Sequence, residues 1–344
     1  MKRILRPGLL ATMIAAFPPC IHGSEAFFSP DGKTVTTCMT GRYVELGFRK
    51  IDIATGKSTL LPLPAALKDE EINSIARGAD GEILFLAKDA VWVLKDGEAA
   101  RKVVSTSPVK GAYDLFVGTK KGSATEDWLF VTGTTAEEPN GRGTFYARKP
   151  GGKQFDPIFC RRVEDATSGA FAADDRLFFV SSADLWMGDI TANADDEGWR
   201  GVLVGDRLAP LAFKNTDEAN GGGMFVSDVS PAGKWVYSAL RGRHMAAIVR
   251  TPMPPKPAAQ EEGTSLFQSV KESYAAQSQA LSKTEIISED LEDIWGFCAT
   301  EANGKPLVFF YTRPEDPEKG AALMLWNGSG APKVIGNLAK PKDE

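Results

Sequence analysis

A short polar turn between two apolar runs recurs along the chain, and this repeat constrains the fold more than any other sequence feature. Each turn is rich in Asp, Asn or Gly, and β-branched and aromatic residues flank it, which is the pattern of a β-hairpin. The clearest turns lie at Asp31-Gly32, Asp80-Gly81, Asp174-Asp175, Ala232-Gly233 and Asn303-Gly304. A sixth is expected near residues 125–127, because the second and third turns are about two repeat lengths apart.

Several units continue into a second hairpin, which gives each unit four strands. The second turns lie at residues 54–57, 95–97 and 327–328. Four-stranded units of about 40–50 residues are typical of propeller blades, because one such sheet cannot cover both of its faces alone. The repeat therefore predicts an all-β, six-bladed β-propeller. Seven blades are the alternative, with a cryptic unit around residues 205–223 or 252–282.

The fifth unit is longer than the others. A Pro-rich stretch over residues 251–257 cannot donate to a strand ladder. Residues 265–281 then have a helical composition, with Thr264 as a candidate cap. We predict a short helical insertion at about residues 258–282, between the third and fourth strands of blade five. This helix either packs on the propeller without a binding role or docks a partner.

Blade one carries the sequence Ser29-Pro30-Asp31-Gly32-Lys33 before an apolar strand, and Asp52-Ile53-Ala54-Thr55-Gly56-Lys57 follows downstream. This pair of turns resembles the repeats of secreted TolB-type and WD-repeat-like propellers. The resemblance implies a single propeller domain over residues 24–344. It implies nothing about a substrate, because such folds host many unrelated functions.

Residues 1–23 have the order of a secretory signal peptide. Lys2, Arg3 and Arg6 precede the apolar residues 8–17, and Pro18-Pro19 then ends any helix. Cleavage after Gly23 is expected, and a buried N-terminal helix is the alternative. Ten apolar residues are too few to span a bilayer, and no other stretch is long enough. We therefore expect a periplasmic or secreted protein without a transmembrane anchor.

Charge and composition exclude several classes of function. The net charge is −5, and loss of Lys2, Arg3 and Arg6 would make it −8, which argues against a nucleic-acid partner. The chain has two histidines, and only His244 lies outside the signal, so a His-rich zinc site is excluded. There is no Gly-x-Ser-x-Gly elbow and no phosphate-binding loop before a helix. No catalytic residue and no metal ligand is assigned from a motif.

Charged loops are the candidate ligand- or partner-binding sites. Acidic residues expected just before innermost strands are Glu70, Glu71, Glu164, Asp165, Asp217, Glu218, Glu289, Asp290, Glu292 and Asp293. Basic residues expected between second and third strands are Arg42, Arg241, Arg243, His244 and Arg313. Loops of both kinds share one mouth of the ring. The acids would bind Ca²⁺ or a basic partner, or act as an acid/base pair on a glycan. The alternative is that they are solvated and pair with the nearby arginines.

The corner at residues 241–244 is a second candidate. It either binds a carboxylate or is a solvated hairpin tip.

Cysteine usage suggests one crosslink. Cys38 is expected on the second strand of blade one and Cys298 on the first strand of blade six, and these blades are neighbours in a closed ring. A disulfide between Cys38 and Cys298 would join the two ends of the chain.

Two functions fit these observations. The first is an exported, non-catalytic scaffold that binds an envelope or extracellular protein, or a glycan. The alternative is a carbohydrate-active or lyase-type propeller enzyme that uses carboxylates at the ring mouth.

Overall fold

The structure is a computed structural model, and only part of the chain is described below. The described residues are 25–39, 47–63, 65–67, 70–135, 144–158, 160–161, 166–181, 184–188, 199–200, 202–205, 225–242, 245–255, 282–291, 293–312 and 320–338.

Six antiparallel sheets of four strands each follow one another along the chain. The first three are β1–β4 (Ala26–Phe28, Thr34–Met39, Gly47–Asp52, Ser58–Pro62), β5–β8 (Ser74–Arg77, Ile83–Ala87, Ala90–Leu94, Arg101–Ser105) and β9–β12 (Val109–Val117, Leu129–Thr135, Thr144–Arg148, Asp156–Ile158). The fourth contains β14, β15, β16 and β18 (Ala166–Phe171, Leu177–Ser181, Asp184–Gly188, Val202–Gly205). The last two are β19–β22 (Phe225–Ala232, Trp235–Arg241, Ala246–Pro252, Glu285–Leu291) and β23–β26 (Trp295–Ala302, Lys305–Thr312, Ala321–Trp326, Lys333–Leu338). Two short strands, β13 (Cys160–Arg161) and β17 (Trp199–Arg200), pair in parallel within the fourth unit, and a 3-10 turn spans Ala65–Leu67.

The predicted turns join the first and second strands of all six sheets. Gly32 and Gly81 have φ values of 68° and 85°, and Asn303 has a φ of 52°, a region that Gly and Asn tolerate best. These residues therefore specify the hairpins locally, and the six-bladed prediction is confirmed.

Six apolar clusters fill the six spaces between neighbouring sheets. Each central strand contributes to two of them, because successive side chains point to opposite faces. On β6, for example, Phe85 packs towards blade one while Leu84 packs towards blade three. This two-sided burial explains why the central strands read as continuous apolar runs, and it closes the sheets into a ring.

The ring closes between two complete blades. Blade one contains the first four strands and blade six the last four, so neither sheet includes a strand from the opposite chain end. An apolar cluster joins them across this seam, with Phe28 on one side and Phe309 on the other. The Tyr311 hydroxyl adds a buried hydrogen bond of 2.6 Å to Glu25 Oε2.

The predicted insertion lies between the third and fourth strands of blade five, since β21 ends at Pro252 and β22 begins at Glu285. Residues 256–281 lie outside the described part of the chain, so the helical insertion is not confirmed. Among the described residues, no helix has the length and apolar character needed to span a bilayer.

Candidate active site on the ring axis

Buried polar residues occupy the innermost strands of four consecutive blades. They are Ser74 on β5, Asp114 on β9, Ser168 on β14 and Asp228 on β19, and their exposed fractions run from 0 to 8%. We call these four residues the axial cluster. Polar groups so deeply buried must satisfy one another, because an unpaired buried polar atom costs about 1–3 kcal/mol.

Asp114 accepts hydrogen bonds from residues on three strands, β5, β9 and β14. The Ser74 hydroxyl donates to Oδ1 at 3.0 Å, and the amide of Leu115 donates to the same oxygen at 2.9 Å. The amide of Gly169, on the next blade, donates to Oδ2 at 2.9 Å. Both carboxylate oxygens are therefore fixed, and Asp114 is fully buried.

Asp228 is held in a similar way one blade further on. The Ser168 hydroxyl donates to Oδ1 at 2.9 Å, and the amide of Val229 donates to the same oxygen at 2.8 Å. Ser168 and Gly169 are consecutive, so one step of β14 donates to Asp228 and to Asp114. The two carboxyl groups therefore flank a single strand.

Irregularities in the strand pairing direct these side chains. The register between β14 and β15 shifts just before Ser168, and that between β19 and β20 shifts just before Asp228. A β-bulge inserts an unpaired residue and re-aims the side chains that follow it. Both shifts lie at the start of the innermost strand, which is where the chain enters each blade.

Burial and the neighbouring acid raise the pKa of Asp228. Burial and the negative charge of Asp114 raise the pKa of Asp228 to about 7, although the Ser168 hydrogen bond, the Val229 amide and the positive charge of Arg241 oppose the rise. Because two neighbouring carboxylates resist simultaneous ionisation, the protonated form of Asp228 persists up to near neutral pH. Asp228 is also the more accessible of the two, with 8% of its surface exposed.

Arg241, a residue of the predicted carboxylate-binding corner, lies beside this pair. It is the last residue of β20, and its guanidinium carbon is 4.3 Å from the centroid of the Trp295 ring on β23. The indole N–H of Trp295 donates to Asp293 Oδ2, and Asp293 Oδ1 accepts the amide of Ile294 at 2.8 Å. Trp295 therefore contacts both Arg241 and Asp293 where blades five and six adjoin.

The other predicted loop acids have varied positions. Glu70 forms an ion pair of 2.9 Å with Lys88 rather than with an arginine, and Glu71 is exposed in the segment before β5. Glu289 and Asp290 lie on β22, the outermost strand of blade five, so their predicted place in a loop is wrong. The predicted residues outside the described part are Arg42, Glu164, Asp165, Asp217, Glu218, Arg243, His244, Glu292 and Arg313.

Metal binding at the mouth remains a prediction. Among the described residues there is no group of three or more His, Cys, Asp or Glu side chains that fits a metal ion. The acids at residues 164–165, 217–218 and 292 are outside that search, so calcium there is untested.

The structure does not contain the predicted disulfide. Cys38 and Cys298 occupy the predicted strands, but both are buried thiols and no disulfide joins them. Cys38 points from β2 into the cluster shared with blade two, whereas Cys298 points into the cluster shared with blade one. Alternation along β2 turns Cys38 away from blade six, and this separates the sulfur atoms.

The sequence analysis missed the axial cluster. Asp114 and Asp228 are single acids inside apolar strands, in the sequences Tyr113-Asp114-Leu115-Phe116 and Ser227-Asp228-Val229. A charged residue in the middle of a predicted innermost strand was the available signal, because such a residue is almost never fully buried unless it is paired.

No family model matches the chain, and no curated protein matches it. Solved structures do match. A luciferin-regenerating enzyme aligns with a TM-score of 0.55 and 11% identity, covering 95% of this chain and 97% of that one. The gluconolactonase XC5397 from Xanthomonas campestris aligns with a TM-score of 0.51 and 10% identity, covering 89% and 87%. TolB from Acinetobacter baumannii aligns with a TM-score of 0.52 and 12% identity, covering 87% and 62%.

The chain shares the propeller fold of TolB. This confirms the architecture that the turns of blade one implied. The prediction of a non-catalytic scaffold is corrected, because two propellers that match this chain over most of its length bear the names of enzymes. These names agree better with the predicted alternative, a carbohydrate-active or lyase-type propeller enzyme, than with a scaffold. At identities this low the likeness itself shows the fold alone.

Proposed function

We propose that the chain is a propeller enzyme that acts on a carbohydrate or a related small molecule by general acid/base catalysis, with Asp228 as the proton-transferring group. The observation that carries the proposal is the pair of carboxyl groups, Asp114 and Asp228, held on either side of one step of β14. These two carboxyl groups lie on innermost strands, whereas the candidate acids of the sequence analysis were expected in loops.

The two acids have different roles. Asp114 accepts three hydrogen bonds that fix its carboxyl group, and its negative charge raises the pKa of Asp228. Asp228, with a pKa of about 7, is present both with and without its proton near neutral pH. A group with such a pKa donates and accepts protons efficiently. Pairs of acids whose environments separate their pKa values are typical of acid/base catalysis.

Ser168 is a positioning residue. Its hydroxyl donates to Asp228 Oδ1 and thereby orients the carboxyl group, and the hydrogen bond lowers the pKa of Asp228. Asp228 is then aimed by the amide of Val229 and by Ser168 together, which pre-organises the proton for transfer.

The test is activity on three substrate types. We would measure acid release from gluconolactone, p-nitrophenol release from nitrophenyl glycosides, and formation of unsaturated products from uronate oligosaccharides. We expect Asp228→Asn to lower kcat by about 10²–10⁴-fold on the substrate that the wild type converts. Asp96→Asn is the matched control, because Asp96 is exposed and pairs with Lys50 at 3.5 Å. Full activity of Asp228→Asn, or no activity of the wild type on any type, would refute the proposal.

A pH profile tests Ser168 separately from folding. The wild-type kcat/KM should change near pH 7, where Asp228 titrates. Ser168→Ala removes a hydrogen bond that lowers this pKa, so the inflection should move to higher pH. If Ser168→Ala lowers kcat/KM at every pH but leaves the inflection at the same pH, Ser168 has only a packing role.

Two earlier predictions belong to this proposal. We propose that residues 1–23 direct export, so that the enzyme acts in the periplasm or outside the cell. We also propose that residues at about 258–282 form a helix on blade five. N-terminal sequencing of protein recovered outside the cytoplasm, and circular dichroism after deletion of the segment, test these points.

A further inference from the structure

Arg241 is presented on a rigid aromatic support. Its guanidinium carbon lies 4.3 Å from the centroid of the Trp295 ring, which belongs to the next blade. The Trp295 indole is itself fixed by its hydrogen bond to Asp293. Stacking on an indole restrains the planar guanidinium and leaves its N–H edge available for hydrogen bonds.

The Nε of Arg241 is buried and has no hydrogen-bond acceptor among the residues that the structure describes. A guanidinium carries five N–H donors in a fixed fork, and a buried donor without an acceptor is destabilising. An acceptor atom from a bound ligand would satisfy this donor.

Arg250 provides an internal comparison. It stacks in the same way, at 4.2 Å from Trp235 and 5.2 Å from Trp326. Its Nε, however, donates to the carboxylate of Glu285 at 2.9 Å, and the two residues form an ion pair. The carboxylate of Glu285 is therefore the anionic partner of Arg250 within the protein. For Nε of Arg241 the described residues supply none.

Arg241 also lies next to the proposed acid/base group. Asp228 pairs with Ala239, and Arg241 is two residues further along β20, on the same face of the sheet. The positive charge of Arg241 is near enough to oppose the rise in the pKa of Asp228. A ligand anion on Arg241 would therefore place the rest of the molecule beside the carboxyl group of Asp228.

We propose that Arg241, held on Trp295, is the anion-binding group of the active site and that the substrate is a sugar carrying a carboxylate. The guanidinium fork matches a carboxylate with two parallel hydrogen bonds. A singly charged carboxylate is favoured over a doubly charged phosphate, because Asp228 acts electrostatically on the same site and Asp293 holds the supporting indole, so the larger charge is repelled more strongly. This inference rests on the proposed function, since it assigns the substrate class of the same site.

Binding of three probes to the full chain tests the assignment. The probes are glucuronate, its neutral counterpart glucose, and glucose phosphate, and isothermal titration measures each Kd. For the wild type we expect glucuronate to bind at least about tenfold more tightly than glucose, and more tightly than glucose phosphate. Equal affinity for glucuronate and glucose, or no binding of any probe, would overturn the proposal. A preference for glucose phosphate would overturn the carboxylate assignment.

Four variants locate the effect. Arg241→Gln should lose the preference for glucuronate to within about twofold, and Arg241→Lys, which keeps the charge without the fork, should lose part of it. Arg250→Gln is the matched control and should bind as the wild type does. Asp228→Asn should bind glucuronate although it is inactive, so loss of catalysis and loss of anion binding are separable. Retained preference in both Arg241 variants would refute the role of Arg241. If Arg241→Gln fails to fold, Arg241→Lys alone decides.

Discussion

At the scale of single residues, Asp228 lowers the stability of the folded chain as pH rises, and this cost can be measured separately from its proposed role in proton transfer. Its carboxyl group is buried beside a second acid, so ionisation is unfavourable in the folded chain and its pKa rises from 3.8 to about 7. In the unfolded chain the ordinary pKa is restored. Between these values the folded state binds more protons than the unfolded state, so stability falls as pH rises from about 4 to about 7.

We expect Asp228→Asn to be more stable than the wild type at alkaline pH. The amide cannot ionise, so the variant avoids the loss of stability that affects the wild type. The difference in the free energy of unfolding should grow by about 2–3 kcal/mol between pH 5 and pH 8. Urea unfolding at the two pH values measures it. Asp96→Asn should show no comparable growth, and a constant difference for Asp228→Asn would contradict the raised pKa.

At the scale of elements, the alternation of side chains along each strand decides which blade a residue contacts. Cys38 and Cys298 illustrate this, since each lies on the predicted strand but faces a different gap between blades. Burial and the nearby charge of Asp228 raise the pKa of the Cys298 thiol well above its ordinary value. Cys298 is therefore poorly reactive as a thiolate, and burial shields both cysteines from reagents in solution.

Alkylation mapped by mass spectrometry checks this shielding. Without reductant, Cys38 and Cys298 should remain unlabelled by iodoacetamide in the native chain and should both be labelled in urea. Labelling in urea only after a reductant is added would indicate a disulfide. Rapid labelling of the native chain would contradict their burial.

Turn glycines offer a second test at this scale. Gly56, in the turn between β3 and β4, has a φ of 67°, and a Cβ there would lie 1.7 Å from the carbonyl oxygen of Ile335 on blade six. Gly97 has a φ of 78° in the equivalent turn of blade two, and a Cβ there would meet nothing within 4 Å. Both Ala variants adopt a left-handed conformation, which costs about 1–2 kcal/mol.

Gly56→Ala should therefore lose more stability than Gly97→Ala, by at least about 1–2 kcal/mol, because the turn must move away from β26. Thermal or urea unfolding of the two variants measures the difference. Equal losses would mean that the seam between blades one and six is looser than the structure has it.

At the scale of the whole molecule, the blades could be predicted from the sequence, whereas the candidate site could not. The turns are specified by neighbouring residues, such as Asp31-Gly32 and Asn303-Gly304, so local chemistry was enough to predict five hairpins, and the repeat spacing predicted the sixth. The axial cluster depends on closure of the ring. Ser74 and Asp114 are 40 residues apart, and Ser168 and Asp228 are 60 residues apart. No local pattern relates such residues, and register shifts just before Ser168 and Asp228 re-aim those two side chains.

The seam described above lies between two complete blades, so the chain could begin at any blade while the cyclic order of the blades is kept. The last strand of blade six and the first strand of blade one are related as β8 is to β9, which the chain connects with only Thr106, Ser107 and Pro108. A circular permutant that joins residue 338 to residue 25 through a short linker and opens between β8 and β9 should rebuild the same ring. Its new termini would fall at a different gap, and the acids on the axis would keep their partners.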